Sequence, residues 1–224
     1  MQRRVLLLAL LAASASTPAF ALLDSLTQGD ASRGIKDALS LAATNATGRL
    51  GRQDGFWGAP RVRIPLPGML GTAQQNLQRL GLSQPLDDLQ RSLNHAAETT
   101  MARAGQLFVA AVRSMTVSDA IGIVRGGDDS ATLYLRGRTS TQLTTLLKPP
   151  MTTALTHSGA FTLMRGALGQ VGMSGQTTSM RAQIIDFSTS KALDGCFAYI
   201  SDEERAIRRD PVRRTTDILR RVFG

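Results

Sequence analysis

Few side chains in this sequence are of types that do chemistry, and their spacing limits what they can do. Its 224 residues hold two histidines, His95 and His157, and one cysteine, Cys196. His95 and Glu98 stand three apart, so a helix sets both on one face, where they could offer two donors to a metal. A zinc site needs at least three protein ligands. The spacing supplies no third, and the pair reads as part of a polar face. His157 falls at a helix end beside Gly159, where a cation meets the carbonyl end of the helix dipole. Gly172-Met173-Ser174-Gly175 has a superficial likeness to a nucleophile elbow, but no apolar strand precedes it. Gly169, Gly172 and Gly175 do not lie between a strand and a helix, as a phosphate loop requires. Asp128-Asp129 could bind a cation, yet an EF-hand-type loop needs more acids at alternate positions; helix capping is the simpler account. Asp87-Asp88 follows Pro85 in the first turn of a helix, where acids favour the positive end of the dipole. Cys196, between Gly195 and Phe197, reads as a buried inert thiol, with intermolecular pairing or reactivity as the alternative. These residues nominate no catalytic group, no metal site and no cofactor.

One constellation remains. Arg205, Arg208 and Arg209 share a helix face at i, i+3 and i+4, and Arg213, Arg214, Arg220 and Arg221 follow across Asp210-Pro211. Arginine forks bind phosphate and carboxylate, so these seven are the candidate anion-binding residues. Asp202, Glu203, Glu204, Asp210 and Asp217 lie among them, which makes intramolecular pairing the competing reading.

The elements that position these groups are helical. Aromatics are 4% of the chain, β-branched runs are nearly absent, and apolar residues recur at helical spacing. The expected fold is all-α, a single irregular multi-helix bundle with an extended, proline-containing strap. Asp30 is a plausible N-cap for a helix carrying Ile35, Ala38, Leu39, Ala42 and Ala46, ended by Gly48 and Gly51. Gln53 to Gly58 reads as a turn bearing Phe56 and Trp57. Val62, Ile64 and Leu66 alternate with Arg61, Arg63, Pro65 and Pro67, a strap whose prolines deny it a full ladder; a docked strand or a peptide-recognition site is the alternative. An apolar stripe then runs from Leu82 to Met115, as one long helix or two broken near Gly105. Thr116 to Asp119 is a capping box. After Asp128, a helix carries Leu133 to Leu135. Thr139-Ser140 opens another, which Pro149-Pro150 should stop before a restart at Met151. Gly166 to Gly175 reads as a mobile connection, and Ile184, Ile185 and Phe187 as an extended entry. Ser188 or Thr189 caps a long helix, and a last helix follows Asp210-Pro211.

The N-terminus sets the compartment. Arg3-Arg4, the apolar run Val5–Ala13 and Ala19-Phe20-Ala21 have the order of a secretory leader, with mature protein from Leu22. The twin-arginine route is the alternative to the general one. The expected organisation is a signal peptide over 1–21 and one helical domain over 22–224, in the periplasm. No later run is long enough to span a bilayer. Removing Arg3 and Arg4 with the leader lowers the formal charge from +9 to +7. An exported basic protein meets anionic lipid or an acidic protein sooner than nucleic acid.

Several segments also carry a family resemblance. Lys191-Ala192-Leu193-Asp194-Gly195, Glu203–Arg208, Asp210-Pro211 and Arg214–Leu219 resemble the end of an exported bacterial domain-of-unknown-function family, DUF4197. Gly51–Phe56, Val62–Pro67 and Met115–Ala120 are similar to the same family. Cys196 and the doubled Pro149-Pro150 depart from its pattern. The resemblance implies a signal-bearing, helical, periplasmic protein and brings no activity, cofactor or site residue with it. The expected function is a non-catalytic binding or envelope-associated role, with a basic C-terminal surface as the contact. The competing classes are a hydrolase or small-ligand carrier with an inter-helix pocket beside Tyr134 or Trp57, and a scaffold that oligomerises through the central stripe.

Overall fold

The apolar stripe in the middle of the sequence forms one uninterrupted 30-residue helix in the computed structural model, which describes residues 28–170, 172 and 175–209. The expected leader and the expected last helix lie outside the described residues. Within them stand seven helices and no strand: α1 (Gln28–Leu50), α2 (Gly68–Gln78), α3 (Gln84–Arg113), α4 (Val117–Arg125), α5 (Ser130–Thr156), α6 (Gly159–Gln170) and α7 (Gln176–Arg209). The all-α expectation therefore holds.

Side-chain pairs fix the directions of the four long helices. Lys36 Nζ on α1 reaches the carbonyl of Arg113 at the end of α3, 3.4 Å away, while Gly51, just past α1, meets Met101. These two helices are antiparallel. Arg49 lies over the Tyr199 ring and Ile207 packs on Ala38 and Ala42, so α1 is antiparallel to α7 as well. Arg136–Asp194 and Lys148–Asp186 set α5 antiparallel to α7. The core runs between them, where Phe108 and Phe197 meet edge to face at 5.7 Å.

Glycine decides two close approaches. At Gly105 a Cβ would stand 2.9 Å from Thr47 Oγ1, so the residue lets α1 and α3 touch, and α3 continues through it unbroken. At Gly195 on α7 a Cβ would sit 3.0 Å from the Phe56 ring and 3.1 Å from Val62 Cβ. That contact shows where the strap lies. Its inward residues Val62, Ile64 and Leu66 are all buried. With α1 ending at Leu50, the strap carries the chain onward between α3 and α7, towards the N-terminal ends of both.

Several local expectations are corrected. Asp30 and Gly48 lie inside α1, not at its ends. Leu82 is exposed and precedes α3. The N-cap of α5 is Asp129, without a side-chain cap bond. α5 runs as one helix through Pro149 and Pro150, which were expected to stop it. Each ring removes one helical donor, leaving the carbonyls of Thr145 and Leu146 without one. Thr145, Leu146 and both prolines border an open hollow between α5 and α3 where water has access, and burial of Leu143, Leu147, Met151 and Leu155 holds the helix on either side. Gly166 belongs to α6 and is not part of a loose connection. Ile184 to Thr189 lie inside α7, which begins at Gln176. β-branched content argued against helix there, and burial of the apolar Ile184, Ile185, Ala192 and Cys196 overrides it. The capping box of α4 forms as expected, Thr116 Oγ1 accepting from the Asp119 amide at 3.1 Å.

Replacing Gly195 with valine should force the strap off α7. The expected loss is about 1–3 kcal/mol, read as a lower urea midpoint.

Candidate functional site

Backbone that lies in the interior without a helix or sheet must find other partners for its N–H and C=O groups. Three side chains of α3 supply them to the turn and strap. Asn94, fully buried, accepts from the Ile64 amide at 2.8 Å and donates to the Ile64 carbonyl at 3.0 Å, acting as a one-residue strand partner. Gln90 donates to the same carbonyl at 3.1 Å. One turn further along, Glu98 is 6% exposed. Its Oε1 accepts from the amides of Phe56 and Trp57 at 2.9 and 3.1 Å, and its Oε2 from the Asp54 amide at 3.1 Å. Asp54 holds a left-handed backbone (φ 60°) so that this turn can close on the carboxylate.

His95 and Glu98 do share a face, as the spacing predicts. His95 Nε2 lies 3.1 Å from Asp54 Oδ1 and 3.9 Å from Glu98 Oε2. Beside them Trp57 is stacked between the guanidinium groups of Arg63 and Arg91, at 4.8 and 5.2 Å. Each of these contacts tightens the turn on α3. Glu98 also borders an open groove of about 900 Å³ between α1 and α3, walled by Thr44, Thr47, Thr99, Ala102 and Val109. The groove is a trough and not an enclosure. Sites for small ligands bury most of the ligand surface, which this one does not. Among the described residues no group of three or more His, Cys, Asp or Glu could hold a metal ion.

The candidate arginines divide. Arg213, Arg214, Arg220 and Arg221 lie outside the described residues. Arg205 pairs with Asp129 at 2.6 Å and with Asp202 at 3.9 Å. Arg209 pairs with Asp128. Arg208 has a side chain only 11% exposed. It donates to Glu204 Oε1, the Ile123 carbonyl and Ser130 Oγ, at 3.0, 3.1 and 2.9 Å. Glu204, 6% exposed, accepts from the amides of Ala131 and Thr132 at 3.0 and 2.8 Å and from Thr132 Oγ1 at 2.7 Å. It caps α5 from a different helix, satisfying donors that the first turn leaves orphaned. Arg208 covers the end of α4 in the same way. The Ser201 hydroxyl and then Arg205 hold the Asp129 carboxyl below its ordinary range. Carboxylates of the same chain thus occupy the three described arginines, which form a clamp over the α4–α5 turn.

Asn94 and Gln90 escaped sequence reasoning because each is a polar residue on a helix, with nothing local to mark its partner. Glu204 was expected to pair with the arginines, as it does with Arg208, but nothing in the sequence marked it as the cap of α5. Glu98 was noticed for a neighbour it barely touches. His157 sits where expected, as the C-cap of α5, with Nδ1 2.9 Å from the Thr153 carbonyl. Cys196 is buried, and burial pushes its thiol up to about 12, the state of an unreactive core residue.

Glu98→Gln should test whether the carboxylate is a clasp. An amide places an NH₂ against at least one of the three backbone donors, leaving it buried without an acceptor. The expected cost is about 1–3 kcal/mol in urea unfolding, followed through Trp57, the only tryptophan, whose emission should shift red as the turn loosens.

The clasped turn, the strap, the α4 capping box and the α7 clamp all fall on segments whose wording resembles one family. A family model described as "Protein of unknown function (DUF4197)" matches residues 25–224. No curated protein and no solved structure matches the chain. The match covers every described element from α1 to α7 and the segment beyond it, and the chain belongs to the DUF4197 family.

Proposed function

We infer that this is an exported, non-catalytic binding protein of the cell envelope that meets an anionic partner through a basic surface. The observation that carries this reading is the division of labour among its charges. The two buried carboxylates, Glu98 and Glu204, each accept from two or three backbone amides and are committed to holding the fold. The cations are in the opposite condition. Arg79, Arg103, Arg125, Arg165 and Arg181 are exposed and make no ion pair among the described residues. An excess of unpaired arginine on a chain whose formal charge is +7 once Arg3 and Arg4 leave with the leader favours association with polyanionic surfaces over specific chemistry. Export rests on the order of charge, apolar run and small residues at the N-terminus. The segment beyond Arg209, with Arg213, Arg214, Arg220 and Arg221 against Asp210 and Asp217, supplies part of that balance.

Co-sedimentation of the chain from Leu22 onward with vesicles tests the reading. Binding to phosphatidylglycerol vesicles should exceed binding to phosphatidylcholine vesicles and should weaken steeply as salt rises and the Debye length shrinks. Equal binding to both, or binding indifferent to salt, would reject it.

A further inference from the structure

The bundle has two unlike ends. At one, α7 clamps the α4–α5 turn with ion pairs. At the other lie the start of α3, the end of α5, the start of α7, and two helices, α2 and α6, with few fully buried residues. In α2 the one buried residue is Gln74, which donates to Asp87 and Gln90 on α3 at 2.7 and 2.9 Å. In α6 only Ala160 and Phe161 are buried. Pro67 to Leu70 face Met180, Gln183 and Ile184 across a hollow of about 120 Å³, so α2 and the start of α7 adjoin.

This end carries the unpartnered apolar surface. Six large apolar side chains are exposed among the described residues, and four of them are here. Met69 is 81% exposed, Leu80 70%, Leu82 62% and Leu163 64%. Scattered apolar residues need no explanation, but grouping at one end of a bundle does. The charge around them is one-sided. No acidic residue stands between Asp54 and Asp87 or between Asp129 and Asp186, so α2 and α6 carry none. Arg79, Arg165 and Arg181 are exposed there. The nearest acids are Asp87, Asp88 and Asp186. Asp87 is engaged by Ser83, Gln74 and Gln78, and Asp186 by Lys148, which leaves Asp88 against three arginines that make no ion pair among the described residues.

We propose that the α2–α6 end is a docking surface for an anionic lipid bilayer, with Met69, Leu80, Leu82 and Leu163 entering the headgroup region and Arg79, Arg165 and Arg181 meeting the lipid phosphates. Apolar side chains flanked by arginine are the composition of proteins that lie on a membrane without crossing it. Among the described residues no single helix is long and apolar enough to cross. The proposal rests on the binding reading above and names the surface that performs it. The C-terminal clamp, at the opposite end, is not that surface.

Single cysteines carrying an environment-sensitive fluorophore separate the two claims. Cys196 is buried and stays unlabelled at neutral pH. Leu80→Cys and Leu163→Cys should shift blue when phosphatidylglycerol vesicles are added. Leu133→Cys, exposed at the opposite end, should not. Replacing Arg79, Arg165 and Arg181 with glutamine should weaken vesicle binding about fivefold for each residue changed. Vesicle binding with equal shifts at all three labels, or a shift at Leu133 alone, would overturn the assignment while leaving the binding reading intact. Absence of binding to anionic vesicles would sink both. Blue shifts at Leu80 and Leu163 that grow with protein concentration without lipid would reassign the surface to a second copy of the chain.

Discussion

Non-helical backbone inside a helical protein has no ladder to join, and its polar groups still require partners. That requirement organises this structure. The turn after α1 and the strap beyond it lie between α3 and α7. Asn94, Gln90 and Glu98 answer for the missing helical bonds, one turn apart along α3. An unsatisfied buried amide costs about 1–3 kcal/mol, a large share of the 5–15 kcal/mol by which a domain is stable. The same solution recurs at the other end, where Glu204 and Arg208 serve the exposed ends of α5 and α4. Polar groups that elsewhere would suggest a reaction centre are here part of the scaffold.

The consequence for function is a separation in space. Among the described residues the buried carboxylates are committed to backbone, and exposed arginines without an ion pair lie on the outside. The open α1–α3 groove offers walls of threonine and alanine with a carboxylate at one end whose oxygens are already occupied. Apart from these clasps, α2 and α6 meet the core through few fully buried residues, with Leu70, Ala73, Leu77 and Met164 half-buried against it.

Much of the fold was legible in the sequence. The period of Leu86, Leu89, Leu93, Ala97, Met101, Ala104 and Phe108 specified α3, and the alternation of Val62, Ile64 and Leu66 specified the strap with its inward residues. Thr116 and Asp119 announced their capping box. What failed were local breakers. Two consecutive prolines did not end α5, because the carbonyls they orphan border open solvent. At Gly105, where one helix and two were both open, α3 continues unbroken, and the glycine makes room for Thr47. Ile184 and Ile185 suggested extended chain, yet they are buried in the first half of α7. The candidate site was less legible. The arginine spacing placed Arg205, Arg208 and Arg209 correctly on one helix, but the acids that engage two of them, Asp128 and Asp129, are more than seventy residues away in sequence. Glu204 also reaches Thr132 across such a separation, and no periodicity reports a partner that distant.

The central claim is that side chains hold irregular backbone as firmly as helices hold their own. Native-state hydrogen exchange of individual amides measures this directly, since protection reports the free energy of opening. The amides of Phe56 and Ile64 lie in no helix and donate only to Glu98 and Asn94. They should exchange as slowly as core amides of α3 such as Ala97. Exchange at the rate of exposed loop amides would show that the clasps are ornaments on a fold held by other means.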